Sequence, residues 1–261
     1  MMGLQLDHVT MRFGGLTAVG DLNGSIEPMD LVGLIGPNGA GKTTVFNVIT
    51  GVYSPTEGTV SFHGKNLRGL KTNEITQNGI SRTFQNIRLF RGMTVFDNIR
   101  VSFAPKTSNR TFGALLRFGG FYNEEKSIAA KIDQLLDFFN LSSARNELAT
   151  SLPYGDQRKI EIVRALATNP KLLLLDEPAA GMNPTEKHNL MKLIRQIRDE
   201  FKLAVLLIEH DMSLVMGVCE RIMVLDYGIK IAEGTPHEIS TNKRVIEAYL
   251  GEVANGEPAN A

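Results

Sequence analysis

Residues 31–43 read LVGLIGPNGAGKT, a short apolar run that leads into a glycine-rich loop. The loop Gly36-Pro37-Asn38-Gly39-Ala40-Gly41-Lys42-Thr43 fits the pattern G-x-x-x-x-G-K-[ST]. The apolar run predicts a buried strand, and residues 42–50 predict a helix. Glycines let backbone N–H groups turn towards phosphate oxygens, and a helix N-terminus adds the positive end of its dipole. The sequence therefore predicts a phosphate-binding loop in which Lys42 contacts the β- and γ-phosphates and Thr43 ligates Mg²⁺.

A pair of acidic residues follows a second apolar run. Leu172–Leu175 is four leucines long and leads into Asp176 and Glu177. Ionised groups at the end of a buried strand are costly unless a cation or ligand lies nearby. We expect Asp176 to hold Mg²⁺, directly or through water, and Glu177 to orient the attacking water or accept its proton.

The order of apolar and amphipathic segments predicts an α/β fold. Residues 92–155 show helical signals and no convincing strand, which indicates a helical subdomain inserted into the α/β core. The predicted strands are Leu4–Val9, Leu31–Ile35, Thr59–Phe62, Ile80–Phe84, Lys171–Leu175, Ala204–Ile208 and Arg221–Leu225. The predicted helices are Lys42–Thr50, Thr94–Val101, Glu124–Phe139, Gly155–Thr168, Thr185–Phe201 and Met212–Cys219.

Composition excludes several classes of protein. The 261 residues are 43% hydrophobic, and 28 basic residues balance 28 acidic ones, so a disordered chain, a collagen and a protein that coats nucleic acid are disfavoured. The single Cys219 cannot form an internal disulfide. The N-terminus does not resemble a signal peptide, and the longest apolar runs are far below the ~18 residues that span a bilayer. A role at a membrane would require another chain to cross it.

Phe13, Gln85 and His210 stand, in that order, in three further motifs, MRFGG, RTFQN and IEHD. Together with the glycine-rich loop and the acidic pair, these motifs make the chain resemble the nucleotide-binding subunit of an ABC transporter over almost its full length. Phe13, in MRFGG, matches the aromatic residue that stacks on adenine, where tyrosine is usual. Gln85, in RTFQN, matches the glutamine that senses Mg²⁺ and the attacking water. His210, in IEHD, matches the switch histidine that contacts the γ-phosphate.

The signature segment departs from the family's common LSGGQ and reads LPYGDQR over residues 152–158. Pro153 replaces the serine whose hydroxyl would reach the partner subunit's γ-phosphate, and proline lacks an N–H group as well. We expect Tyr154, Gly155 and Asp156 to make a weaker contact in trans, mainly through the backbone. Asn183 stands where the family often has aspartate.

The resemblance implies a fold, a set of ligands and a set of partners. The fold is a P-loop NTPase with a RecA-like core, a β subdomain and an inserted helical subdomain. Its expected divisions are 1–91 and 156–250 for the core, 92–155 for the helical subdomain and 251–261 for a flexible tail. ATP and Mg²⁺ are the expected ligands, with catalysis by Glu177, His210 and Gln85. The nucleotide would be bound by Phe13, Gly36, Pro37, Asn38, Gly39, Ala40, Gly41, Lys42, Thr43 and Thr44, and the metal by Thr43, Gln85 and Asp176.

Several sequence details resemble the ATP-binding subunits of bacterial branched-chain amino-acid importers. These are YGDQR at 154–158, EPAAG at 177–181, IEHDM at 208–212 and RTFQ at 82–85. That subgroup implies two transmembrane permease subunits, a second ATP-binding subunit and, indirectly, a periplasmic or extracellular amino-acid-binding protein. It places the chain at the cytoplasmic face of the inner membrane, without nucleic acid. Residues 88–93, including Arg88, Leu89, Phe90 and Met93, are candidates for the permease-facing groove or for plain packing.

Other functions compete with this interpretation. A GTPase should carry N-K-x-D, but NKRV at 242–245 has valine in the deciding place. A soluble ABC protein of DNA repair or translation usually has a coiled coil or two cassettes. An exporter of lipid or lipopolysaccharide would use the same cassette. The basic, aromatic segment 100–122 is typical of a packed insertion, with binding of single-stranded nucleic acid or anionic lipid as the alternative.

Overall fold

The computed structural model describes residues 3–106 and 121–255. They form two compact units, one made of residues up to Arg82 together with those from Lys171 onward, and the other of Thr83–Pro170. The predicted helical subdomain 92–155 lies within the second unit, whereas 107–120, most of the basic aromatic segment, lies outside the described residues.

The first unit contains a six-stranded sheet in the order β10-β9-β3-β8-β7-β6. Strands β3, β6, β7, β8 and β9 run parallel, and β10 pairs antiparallel at one edge. Both β7 and β8 are buried along their whole length, as expected of central strands whose residues, apart from the terminal Asp176 of β7, are all apolar. The strands are β3 (Leu31–Ile35), β6 (Ile80–Arg82), β7 (Leu172–Asp176), β8 (Ala204–Ile208), β9 (Arg221–Asp226) and β10 (Ile229–Gly234).

A four-stranded antiparallel sheet, in the order β2-β1-β4-β5, completes this unit. Its strands are β1 (Leu4–Phe13), β2 (Leu16–Ile26), β4 (Glu57–Phe62) and β5 (Lys65–Asn66). One hydrophobic core joins this sheet, the larger sheet and helix α1 (Lys42–Ile49), and the fully buried Phe46 of α1 belongs to it. The core therefore fixes α1 directly behind the glycine-rich loop.

Eight further α-helices lie in the described part of the chain. They are α2 (Thr72–Gln77), α3 (Val95–Arg100), α4 (Phe121–Phe138), α5 (Tyr154–Leu166), α6 (Pro184–Phe201), α7 (Met212–Val218), α8 (Pro236–Thr241) and α9 (Lys243–Asn255). Within the described ranges, none of the helices is both long and apolar enough to cross a bilayer.

The α/β fold class is confirmed, and the element bounds differ in informative places. Strand β2 was not predicted because Gly20, Asp21 and Asn23 interrupt its apolar alternation, yet it pairs with β1 across a hairpin. Strands β5 and β10 and helices α2, α8 and α9 were also missed. Helix α9 continues to Asn255, into the predicted tail, and 256–261 lie outside the described residues.

Strand β6 ends at Arg82 and not at Phe84. The reason is that side chains, not a neighbouring strand, take up the backbone groups of Phe84. Its N–H donates to Glu161 Oε1 at 3.3 Å, and its carbonyl accepts from Arg158 at 2.8 Å. Both backbone polar groups of Phe84 are therefore hydrogen-bonded to side chains, and β6 ends before this residue.

Candidate functional site

The glycine-rich loop is closely packed against the residues around it. Gly36 and Gly41 have φ of 149° and 99°, where L side chains are strained. A Cβ atom at Gly36 would lie 2.0 Å from the Leu225 carbonyl oxygen, and one at Gly41 would lie 2.5 Å from that of Ala18. Only glycine fits at either position, so the loop is held against the surrounding strands.

Helix α1 begins at Lys42, directly after this loop. The Lys42 amine is buried and donates to the carbonyls of Gly36 and Pro37 at 2.6 and 2.7 Å, so it lies across the loop that its own backbone forms. Gly41 occupies the N-cap position and supplies no capping side chain. The first N–H groups of α1 and the Lys42 ammonium thus make this end of the helix suitable for an anion.

Asp176 ends strand β7 and is almost fully buried. Arg82 Nη2 donates to its Oδ2 at 2.6 Å, and Arg82 Nη1 donates to Asn47 Oδ1 at 2.7 Å. Asn47 lies four residues after Thr43, on the same face of α1. The guanidinium therefore joins Asp176 to the helix face that carries Thr43.

The residues of this region suit a hard divalent cation. A threonine hydroxyl and a buried carboxylate are the oxygen ligands that Mg²⁺ prefers, usually together with substrate phosphates. Asp176 is already paired with Arg82, so a bound Mg²⁺ would share this carboxylate with the guanidinium. Among the described residues, no group of three or more His, Cys, Asp or Glu side chains is arranged to hold a metal.

Glu177 and His210 come together at the carboxyl ends of β7 and β8. Glu177 Oε1 lies 2.8 Å from His210 Nε2. The Glu177 backbone N–H donates to the Ile208 carbonyl at 2.9 Å, which ties the two strand ends together. Glu177 has φ of 47°, an uncommon conformation for a residue with a side chain, and such strain concentrates at functional sites. The sequence placed both residues in the site, and the structure adds their direct contact.

Glu209 is buried behind this pair and was not singled out by the sequence argument. Its Oε1 accepts the Ala179 N–H at 2.7 Å, and its Oε2 accepts the His210 N–H at 3.1 Å. Burial raises the pKa of Glu209 above its ordinary value, and these N–H donors only partly offset that effect. Glu209 thus fastens the segment after Glu177 to the segment that carries His210.

Asp211 and Lys187 form a second link next to His210. Lys187 Nζ donates to Asp211 Oδ2 at 2.6 Å, while Asp211 Oδ1 accepts the Leu214 N–H as the N-cap of α7. These bonds hold the pKa of Asp211 far below its ordinary value, with Lys187 as the largest cause. Asp211 therefore stays ionised and, as N-cap, fixes the start of α7 at Met212.

Phe13 ends strand β1 with 41% of its surface exposed. Its ring meets the Tyr53 ring edge-on, with centroids 5.1 Å apart and planes at 76°. An aromatic face that is only partly covered remains accessible to a flat ligand. The structure is compatible with stacking by Phe13, whose role as an adenine contact stays a prediction.

In the second unit, helix α5 holds the backbone around Gln85. Arg158 donates to the carbonyls of Phe84 and Gln85, and Glu161 Oε2 accepts from Arg158 at 3.1 Å. Arg158 and Glu161 are both buried, and burial raises the pKa of Glu161. The helix that begins at the signature is thus tied to the Gln85 segment within one compact unit.

The departures in the signature have structural explanations. Pro153 occupies the N-cap position of α5, directly before the first helical residue, where its missing N–H costs no helical bond. Asp156 lies in the first turn, where a carboxylate favours the helix dipole, and pairs with Lys159 at 2.8 Å. Asn183 caps α6 in a reciprocal capping box with Glu186, a function that either asparagine or aspartate performs.

A common signal could have revealed the residues that the sequence argument missed. Arg82, Glu161 and Glu209 are charged residues next to or within apolar runs. Such residues are rarely buried without a partner. The pattern shows that each needs a partner, but only the folded chain shows which one.

Comparison with known proteins agrees with these motifs. The ABC transporter family model matches residues 19–180, and a model described as branched-chain amino acid ATP-binding cassette transporter matches 230–255. The high-affinity branched-chain amino acid transport ATP-binding proteins LivG of Escherichia coli K12 and BraF of Pseudomonas aeruginosa are 45% and 44% identical over 249 residues, covering 95% of this chain and 98% of each relative. The lipopolysaccharide export system ATP-binding protein LptB of Haemophilus influenzae is 32% identical over 255 residues, covering 95% and 97%.

A solved structure supports the same assignment. The ADP conformation of MJ1267, an ATP-binding cassette of an ABC transporter, superposes with a TM-score of 0.84 at 30% identity and covers 96% of this chain and 99% of that one. The resemblance predicted from the motifs is therefore confirmed, and with it the P-loop NTPase fold and the assignment as a transport ATPase of the ABC type. The chain belongs to the ATP-binding cassette proteins of the ABC transporter family.

Proposed function

We propose that this ABC ATPase powers the uptake of branched-chain amino acids through partner membrane subunits. The observation that carries the substrate class is the similarity to LivG and BraF, together with the C-terminal match at 230–255. No described residue needs to touch an amino acid for this function. The chain would supply the hydrolysis that drives a separate pore.

The nucleotide is assigned to the loop at the start of α1. In this proposal the backbone N–H groups of 36–44 bind the phosphates, and Lys42 leaves its two carbonyl partners to contact the β- and γ-phosphates. Phe13 stacks on the adenine ring. Because the loop glycines are fixed by close contacts, the cradle is formed before the nucleotide arrives.

Mg²⁺ is assigned to Thr43 and Asp176, with Gln85 as a further ligand carried over from the family motif. A bound Mg²⁺ would neutralise charge on the phosphates and orient them. Asp176 and the helix face of Thr43 are already joined through Arg82 and Asn47, which supports the first two ligands. Gln85 belongs to the other compact unit, and its part in the site stays a prediction.

Glu177 and His210 are assigned to the hydrolytic step. Glu177 accepts the proton of the attacking water, and the 2.8 Å contact with His210 Nε2 fixes the direction of its carboxylate. His210 contacts the γ-phosphate as well as Glu177, so one side chain links the nucleotide to the general base. The Glu209 and Asp211 contacts hold the His210 segment for this purpose.

A second ATP-binding subunit, a related chain or a second copy, completes the site. Tyr154, Gly155 and Asp156 would meet the partner's phosphates in trans, through the start of α5. Residues 88–93 would face the permease. Phe90 and Met93 are 43% and 37% exposed, and the Arg164 guanidinium lies 5.0 Å from the Phe90 ring centroid, which supports a shaped apolar surface there.

The proposed assembly has two permease subunits and works at the cytoplasmic face of the inner membrane, where it would receive substrate from an amino-acid-binding protein outside. The second candidate, a lipopolysaccharide exporter, is favoured by the similarity to LptB, at 32% identity against 45% for LivG. The importer and the exporter are distinguished by measuring which substrate is transported only when this chain is present.

The test is substrate-dependent ATP hydrolysis and uptake. The chain is reconstituted in vesicles with its companion permease subunits, the second ATP-binding subunit and the amino-acid-binding protein, and ATP-driven uptake of labelled leucine, isoleucine and valine is measured. We expect Glu177→Gln to retain ATP binding but lose turnover by about 10²–10⁴-fold, the usual contribution of a general base. Lys42→Ala should lose uptake with unchanged circular dichroism. Uptake that survives in either variant would refute the site, and transport of lipid alone would refute the substrate.

A further inference from the structure

We propose that Arg82 is a positioning residue that sets the charge balance at Asp176 and thereby limits the preference of the site for Mg²⁺-nucleotide over free nucleotide. This inference rests on the proposed Mg²⁺ role of Asp176. It concerns a residue outside the phosphate loop that touches neither the phosphates nor the attacking water in the proposed mechanism. The observations that carry it are one buried ion pair and the helix to which that pair is joined.

The ion pair between Arg82 and Asp176 is close and well shielded. Arg82 Nη2 lies 2.6 Å from Asp176 Oδ2, and the two side chains are only 11% and 5% exposed. The residues lie on neighbouring parallel strands, where Arg82 of β6 is paired with Leu174 of β7. A pair shielded in this way acts more strongly on its neighbours than an exposed one.

The other side of the guanidinium is fixed by α1. Arg82 Nη1 donates to Asn47 Oδ1 at 2.7 Å, and the guanidinium carbon lies 5.3 Å from the centroid of the buried Phe46 ring. With two anchors on α1 and one on β7, the cation has little freedom to leave. Arg82 therefore stays beside Asp176 when a ligand binds at Thr43, one turn earlier on α1.

The consequence follows from counting charges. With Arg82 present, the Asp176 carboxylate is already neutralised, so it repels free nucleotide weakly. A divalent cation at the same carboxylate must share it with the guanidinium, and the two cations repel each other. Without the Arg82 charge, Asp176 would repel metal-free nucleotide and attract Mg²⁺ more strongly. The ratio of the nucleotide affinity in Mg²⁺ to the nucleotide affinity without Mg²⁺ therefore measures the effect of Arg82.

The experiment compares ADP affinity in excess Mg²⁺ with ADP affinity in EDTA, by titration with a fluorescent ADP analogue. Arg82→Gln keeps polar atoms for Asp176 and Asn47 but removes the charge, and we expect its Mg²⁺/EDTA affinity ratio to rise about tenfold, the low end of what a neighbouring Arg does to an Asp. Arg82→Lys keeps the charge, and its ratio should stay within about threefold of the original protein.

Arg221→Gln is the matched control. Arg221 opens strand β9 and pairs with Asp30 at 2.7 Å, at the end of the sheet opposite the phosphate loop. Its loss removes a partly buried, ion-paired arginine without touching Asp176, so the affinity ratio should not change. A tenfold rise in this control would mean that the ratio reports stability alone, and the inference would fail.

Asp176→Asn separates this inference from the proposed function. If Asp176→Asn loses the Mg²⁺ effect and Arg82→Gln leaves the ratio unchanged, the Arg82 inference is wrong and the Mg²⁺ site stands. If Asp176→Asn keeps the full Mg²⁺ effect, the proposed metal role of Asp176 is itself wrong.

Arg82→Gln could also fail to fold, since it leaves a buried carboxylate without its counter-charge. In that case the double variant Arg82→Gln/Asp176→Asn, which has no buried charge to pair, should recover cooperative melting by circular dichroism. A double variant that is still unfolded would show that Arg82 acts through packing, which overturns the inference.

Discussion

Replacing Glu209 by glutamine should weaken both the fold and the hydrolytic site. Glu209 uses two carboxylate oxygens, one for the Ala179 N–H at 2.7 Å and one for the His210 N–H at 3.1 Å. Glutamine has the same shape but only one acceptor oxygen, so at least one buried N–H group would face an NH₂ group. An unsatisfied buried donor costs about 1–3 kcal/mol. For a chain of this size, that corresponds to a fall in Tm of roughly 2–12 °C.

The loss of stability in Glu209→Gln should depend on pH. Burial raises the pKa of Glu209 in the folded protein above its unfolded value of 4.5. Stability from the protonated form is complete below pH 4.5 and is lost as the pH rises through the folded pKa. Glu209→Gln cannot lose a proton there. The stability of the original protein relative to Glu209→Gln should therefore fall as the pH rises through the folded pKa of Glu209.

Turnover should fall as well, because the His210 backbone is no longer held beside Glu177. A misplacement of about 1 Å can cost about 10²-fold, so we expect a reduction of ATPase kcat of that order at most, with ADP affinity unchanged. Thermal melting between pH 5 and 8 and steady-state phosphate release measure the two effects. Glu200→Gln, on an exposed position of α6, is the control. A Glu209→Gln protein that melts and turns over like the original would refute this reasoning.

Three further outcomes are expected. Phe13→Ala should weaken nucleotide binding more than Phe13→Tyr, because tyrosine keeps the stacking ring, and equal affinities in a fluorescent-nucleotide titration would show that Phe13 only packs against Tyr53. Cys219 is buried and its pKa is raised to about 12, so iodoacetamide should label it slowly in the native protein and rapidly in denaturant, whereas equal rates by mass spectrometry would contradict its burial. Asn183→Ala should remove the α6 capping box and cost about 1 kcal/mol in denaturant melts, while Asn183→Asp should keep it, so that equal losses in both variants would argue against a capping role.

The predictions that are confirmed depend on local sequence patterns. The loop at 36–43 combines fixed glycine positions with a strand before and a helix after, and each requirement is visible within a dozen residues. The runs at 172–175 and 204–208 are apolar on both faces, which only a central strand tolerates. Strand β2 lacks such a local pattern, because its partner β1 and not its own alternation stabilises it.

The amino-acid sequence by itself determined the α/β class, the glycine-rich loop between a strand and a helix, the acidic pair at the end of a buried strand and the family, because backbone conformation and strand burial are set by neighbours along the chain. Tertiary structure alone decided which charged residues meet. Arg82 and Asp176 are 94 positions apart, and Glu177 and His210 are 33 apart. Strand order brings residues at such separations together, and each buried charge requires a counter-charge nearby. No single segment of the sequence shows either the strand order or the identity of the counter-charge.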